Sequence, residues 1–162
     1  MVVESKPIDL EKLDLAYLAL FLGQRVNELV VQRLVRAGFT NVRESHGYVV
    51  QHLIECERSI SDLARRMGVT QQTASKTVAE MVRLGVLKAA TAEDRRAKVI
   101  RISERGWESI RYSRRARAQI DHRLTKAVGG EGYERTKTAL IQCLDELGGA
   151  QRIQSRRVRQ PQ

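Results

Sequence analysis

Apolar positions recur along most of this chain at helical spacing, and only one short region alternates. Residues 9–36 predict a long helix that is apolar on more than one side. Leu15, Leu18, Leu22, Val26 and Leu29 make one stripe, and Leu10, Leu13, Tyr17 and Leu20 make a second. A helix apolar on two sides must be covered on two sides, and in 162 residues the second cover is expected from another subunit. Gly38 ends this helix. The next is predicted over about 41–56, with Val49, Val50, Leu53 and Ile54 inward.

Shorter elements follow. Ser59 caps a helix to Met67, with Asp62 three residues on in a capping-box spacing, and Ile60, Leu63 and Met67 on its buried side. Gly68 stops it, and Thr70 caps a further helix reaching Leu84. There Ala74, Val78, Met81 and Val82 form the core stripe, while Gln72, Ser75, Lys76 and Arg83 lie opposite. After Gly85 the period changes. Residues 86–90 and 98–102 read as two strands joined by a polar, charged tip, a β-hairpin. Ser103 then caps a long helix to about 128, burying Trp107, Ile110, Ala116, Ile120, Leu124 and Val128. A last helix is predicted over 131–148, with Tyr133, Leu140, Cys143, Leu144 and Leu147 inward.

The fold class is therefore mainly α with a small β-hairpin. It is a single domain: a winged helix-turn-helix over 41–102, flanked by N-terminal (9–36) and C-terminal (103–148) helices. Residues 149–162, with Arg152, Arg156, Arg157 and Arg159, are expected to form a disordered basic tail.

Charge narrows the partners. With 29 Lys and Arg against 19 Asp and Glu, the net charge is +10, which attracts polyanions. Aromatic residues make up 4 % of the chain, too few for the stacking platforms of single-strand binders. The most apolar stretch, 13–22, contains Asp14 and is half the length of about 20 residues that a spanning helix needs. It also lacks the layout of a secretory signal, so no membrane association and a cytoplasmic location are expected.

No arrangement for nucleophilic, acid–base or phosphate-cradling chemistry stands out, so neither catalysis nor a cofactor is expected. His46, His52 and His122 are scattered. His52 and Cys56 are four apart on one helix, but a metal needs three or four ligands, and core packing is the reading of that pair. The first helix has no cysteine and Cys143 sits on an apolar stripe, so thiol sensing is not expected.

Two short helices joined at Gly68 cross steeply, and the second offers Thr70, Gln71, Gln72, Thr73 and Ser75 at its N-terminal end. A major groove about 12 Å wide admits one such helix, where Gln pairs with adenine and Ser or Thr with several base edges. Lys76 and the helix N-terminus attract phosphate. The hairpin region adds Arg83, Lys88, Arg95, Arg96, Lys98 and Arg101 against Glu93 and Asp94. Arg95 and Arg96, at the tip, are the residues expected in the minor groove, where Arg is favoured by narrow A·T-rich segments. The basic run 111–126 reads as a solvated face that could also flank DNA or hold an acidic effector.

Residues 60–106 resemble the MarR family of winged-helix transcription regulators. The resemblance rests first on Leu63-Ala64-Arg65-Arg66-Met67-Gly68-Val69-Thr70, then on Val78 and Gly85-Val86-Leu87. Asp94-Arg95-Arg96 and the set Val99, Ile102, Ser103 and Gly106 complete it. The acidic-Arg-Arg wing followed by a capped helix is its specific part. The family often has Leu-Thr-Pro where this chain has Ile102-Ser103-Glu104, and an Arg where Ala89 stands. The resemblance implies a homodimer built by the flanking helices, which binds an inverted-repeat operator on double-stranded DNA and represses until a small-molecule effector relieves it. Tyr17, Phe21, His46 and Trp107 are the candidates for lining an effector pocket, and Lys98 joins the DNA-binding set. The competing class is a sequence-tolerant, nucleoid-type architectural DNA binder.

Overall fold

A computed structural model of the chain describes residues 8–91 and 98–155. One turn of 3-10 helix, Leu10–Lys12, precedes α1 (Leu15–Arg36), α2 (Glu44–Leu53), α3 (Ile60–Met67) and α4 (Gln71–Arg83). The strands β1 (Leu87–Thr91) and β2 (Lys98–Ile102) follow, then α5 (Glu104–Val128), α6 (Gly130–Glu146) and α7 (Gly149–Ser155). No helix among the described residues is long and apolar enough to cross a membrane.

Short polar side chains set the helix starts. Asp14 accepts the Tyr17 N–H at 2.8 Å, Ser59 that of Asp62 at 3.2 Å, Thr70 that of Thr73 at 3.1 Å and Ser103 that of Gly106 at 3.0 Å. The Asp14 cap corrects the expected start of the first helix, which lies at Leu15 and not at residue 9. The second helix is also shorter than expected. Asn41 takes a left-handed φ of 59°, which a helix cannot include, so α2 starts at Glu44 and stops at Leu53. Residues 149–155 form α7 where a disordered tail was expected, and the rest of that tail lies outside the described residues.

Two cores result. Val49 and Leu53 of α2, Leu63 and Met67 of α3, Val78 and Met81 of α4, Leu87, Ile100 and Ile102 of the hairpin, and Ile110 of α5 pack together. The second core joins Val30 and Leu34 of α1 to Ala116 and Ile120 of α5, with Phe39 beside them. Val82 and Val128, expected inside, are exposed: Val82 lies at the edge of the α4 stripe, and Val128 at the end of α5 has the glycine-bearing start of α6 beside it. The N-terminal half of α1 is bare on both stripes: Leu15, Tyr17, Leu18, Leu20, Phe21 and Leu22 are all exposed. The same holds for α6, which has no buried residue and leaves Ile141, Cys143 and Leu144 in solvent. Cys143 is thus on an apolar stripe, as read from sequence, but the protomer does not bury it.

The hairpin pairs antiparallel with Leu87 opposite Ile102 and Thr91 opposite Lys98. A third segment joins its outer edge, since Arg58 and Ile100 exchange backbone hydrogen bonds of 3.1 and 2.7 Å. At its base, the Ser103 hydroxyl donates to the backbone carbonyls of Gly85 and Val86. Gly106 lies in the first turn of α5, where a Cβ would collide with the Val86 carbonyl and the Ile102 side chain. Gly106→Ala is therefore expected to destabilise the fold by about 1–3 kcal/mol, the usual cost of overpacking. Chemical denaturation checks it, and unchanged stability would show that the junction has slack.

Candidate nucleic-acid interface

The buried stripe of α4 fixes which way its polar residues face. Ala74, Val78 and Met81 pack inward, so Gln71, Gln72, Thr73, Ser75 and Lys76 all stand in solvent, together with Ala79 and Arg83. Gln72, Lys76, Ala79 and Arg83 fall on one line along the helix, with one side chain no larger than a methyl group in its middle. Thr70 and Thr73 are partly committed already: their hydroxyls are 2.8 Å apart, and Thr70 also caps the helix. Gln71, Gln72, Ser75 and Lys76 are therefore the groups best placed to meet an external partner.

The wing supplies a second charged surface. Lys98 is exposed at the start of β2. Lys88 and Arg101 stand directly opposite each other across the two strands, and both are exposed. Like charges in that position repel. The two residues were visible in the basic count of the hairpin, but their pairing required the register. Arg95 and Arg96, the expected minor-groove residues, lie outside the described residues.

The four effector-pocket candidates do not converge. Tyr17 and Phe21 contact each other, with ring centroids 5.8 Å apart, on the bare half of α1. Trp107 packs against the winged-helix core. His46 lines a cavity of about 250 Å³ whose walls include Leu34, Val50, Met81, Ile110, Arg114 and Arg117. Arg114 and Arg117 belong to the basic run 111–126, which the sequence offered as a solvated face that could also hold an acidic effector; these two of its residues line the cavity. Among the described residues, no three His, Cys, Asp or Glu side chains stand together as metal ligands. His52 is buried as expected, whereas Cys56 is exposed, because α2 ends before reaching it.

His46 ties this cavity to α4. Its Nδ1 accepts the backbone N–H of Arg43 at 3.3 Å, so the neutral ring carries its proton on Nε2. That buried Nε2 has no hydrogen-bond partner, and Glu80 Oε1 of α4 stands 3.9 Å away. Arg43 Nη2 holds the same Glu80 oxygen at 3.2 Å. Burial keeps the pKa of His46 below 6.5; Glu80 raises it in part, and Arg43 lowers it further.

The model of the MarR family matches residues 44–97, a third of the chain that begins at the start of α2. No curated protein matches the sequence. Among solved structures, RV1404 from Mycobacterium tuberculosis shares 14 % identity and a TM-score of 0.69, over 90 % of this chain and 98 % of that one. MepR is a transcription regulator of the Staphylococcus aureus multidrug efflux pump MepA. A MepR variant bound to an oligodeoxyribonucleotide shares 21 % identity and a TM-score of 0.57, over 84 % of this chain and 99 % of that one. MepR bound to ethidium bromide shares 18 % identity and a TM-score of 0.61, over 85 % and 99 %. At these low identities it is the TM-scores of 0.57–0.69 that show a shared fold.

The His46 geometry sets a pH dependence. Because the folded pKa lies below the unfolded 6.5, the unfolded chain binds a proton that the folded chain resists. Stability is therefore lost as pH falls from 6.5 through the folded value, and regained as pH rises. Thermal melts between about pH 7.5 and 5 are expected to show this loss in the wild type and a smaller one in His46→Asn, which keeps an acceptor near the Nδ1 position. Equal slopes in both proteins would remove His46 from the account.

Proposed function

We propose that this chain, a MarR-family winged helix-turn-helix protein, is a dimeric, sequence-specific regulator of transcription that acts on double-stranded DNA. The observation that carries the reading is the outward row of Gln71, Gln72, Ser75 and Lys76 on α4, next to a wing whose Lys88 and Arg101 face each other in solvent. Amide and hydroxyl side chains read base edges in the major groove, and cations neutralise phosphate. Lys98, with Arg95 and Arg96, completes the backbone and minor-groove contacts in this reading.

Dimerisation supplies the second half-site. The bare N-terminal half of α1 and the uncovered α6 lie on the flanking helices, and Leu147 is 83 % exposed. Contiguous apolar surface of this kind marks an interaction site, and a second copy brings two recognition helices to one duplex. Half-sites are then about one helical turn apart, in an inverted repeat.

In the same reading the protein represses by occupying its operator, and a small molecule in the cavity at His46 relieves it. The support is the unpartnered Nε2–H, which a bound acceptor would satisfy, beside Glu80 on the recognition helix. An occupant should raise the melting temperature and lower duplex affinity together; a thermal shift with unchanged affinity would exclude this part.

Footprinting on DNA upstream of the chain's own gene tests the main reading. A regulator should prefer its operator by at least about 10³-fold over random duplex at physiological salt. Equal affinity would favour the architectural binder. Gln72→Ala is expected to lose about 1–3 kcal/mol of discrimination at one base pair. Lys98→Ala should instead weaken all sequences alike and reduce the salt slope by about 0.9. Identical behaviour of the two variants would overturn the division of roles. Leu18→Asp, measured by light scattering, is expected to shift the mass toward one chain.

A further inference from the structure

Three arginines converge on one carboxylate in the first helix of the motif. Arg58 Nη1 lies 3.0 Å from Asp62 Oδ2, Arg66 Nε lies 2.9 Å from the same oxygen, and Arg65 Nη2 holds Oδ1. Arg58 is the inner member, its side chain 14 % exposed. Its Nε donates to the His52 carbonyl at 2.7 Å, and its backbone pairs with Ile100 of β2. Asp62 is thus tied through Arg58 to α2 and to the wing.

Arg65 and Arg66 sit on the outer side of this network, with side chains 76 % and 41 % exposed. They immediately precede the turn at Gly68 that leads into α4. After Asp62 neutralises one charge, the cluster keeps an excess of two. Burial pushes the Asp62 carboxyl up, but hydrogen bonds from Arg66, Arg65 and Arg58 bring its pKa down to about 2, so it stays ionised at neutral pH.

We propose that Arg65 and Arg66 form a phosphate contact on the DNA backbone, with Asp62 as the positioning residue that sets them relative to the wing and the recognition helix. The proposal rests on the DNA-binding reading above. Arg58, the inner member, already satisfies one Asp62 oxygen, whereas the side chains of Arg65 and Arg66 reach out from the network into solvent where an external anion can meet them. A guanidinium already ordered by a carboxylate loses less freedom when it meets a phosphate. Arg66 gives Asp62 its Nε and Arg65 an Nη, which leaves N–H groups on both planar forks for phosphate oxygens. In a helix-turn-helix the first helix crosses the backbone while the second enters the groove.

The test measures duplex affinity against salt, using the full chain and the footprinted operator. Replacing both residues, Arg65→Gln with Arg66→Gln, is expected to reduce the salt slope by nearly two, at about 0.9 per phosphate, with operator preference unchanged. An unchanged slope overturns the proposal. Asp62→Asn separates positioning from charge. It makes the surface more positive, so charge alone predicts tighter binding and a steeper slope, whereas positioning predicts weaker binding. Tighter binding removes Asp62 from the proposal. If Asp62→Asn does not fold, the Gln pair, on exposed side chains, still decides the phosphate contact, and Asp62→Glu decides positioning by retaining most of the affinity. A wild type that binds no duplex would defeat the DNA-binding reading itself; normal binding with an indifferent Gln pair defeats only the phosphate contact.

Discussion

The contact on which the rest depends is the junction between the wing and α5. Ser103 does three things there: its hydroxyl caps α5, the same hydroxyl reaches the carbonyls of Gly85 and Val86, and its backbone N–H bonds Val86. Gly106 lets the helix start press against Val86. Because Val86 directly follows α4 and the Gly85 turn, this one knot fixes α4, the hairpin and α5 relative to one another. It also joins the two cores, since α5 contributes Ile110 to one and Ala116 and Ile120 to the other. A displacement of α5 therefore cannot be independent of the exposed face of α4 and the hairpin.

That surface is electrostatically costly in isolation. Lys88 and Arg101 oppose each other, and Arg65 and Arg66 outnumber their carboxylate. Repulsion of this kind lowers the stability of the free protein and is relieved when a polyanion lies across it. The two basic sets are mechanically connected, because Arg58 binds the wing through its backbone and Asp62 through its side chain. Part of the charge surplus in the sequence thus has a structural address on the outer faces of α3 and the hairpin, and another part lies along α5.

Much of this was readable from sequence because it is local. Ser59, Thr70 and Ser103 cap where their spacing predicts, and the switch from helical to alternating period locates the hairpin. Features that depend on distant parts were not readable. The left-handed Asn41 and the Asp14 cap shift helix starts by local chemistry that an apolar pattern cannot register. The pocket candidates were chosen for residue type, yet Tyr17 and Phe21 belong to the apolar end of α1, whereas His46 lines a cavity. The Arg58–Ile100 bridge and the His46–Glu80 approach join segments far apart in the chain, and neither leaves a periodic signature.

The His46 cluster shows how a small cavity can bear on α4. Glu80 belongs to α4, Arg43 and His46 to the start of α2, and Met81 both lines the cavity and sits fully buried in the core. An occupant that accepts from Nε2 would alter the charge balance at Glu80 and the packing at Met81 together. A ligand shifts an equilibrium only by its difference in affinity between two states. In the proposed reading, the unpartnered Nε2–H of His46 would be the source of that difference, since a bound acceptor would satisfy it. On the proposed reading, coupling between the cavity and a DNA-contacting surface would need no long pathway, because α4 carries both Glu80 and the exposed Gln72 and Lys76.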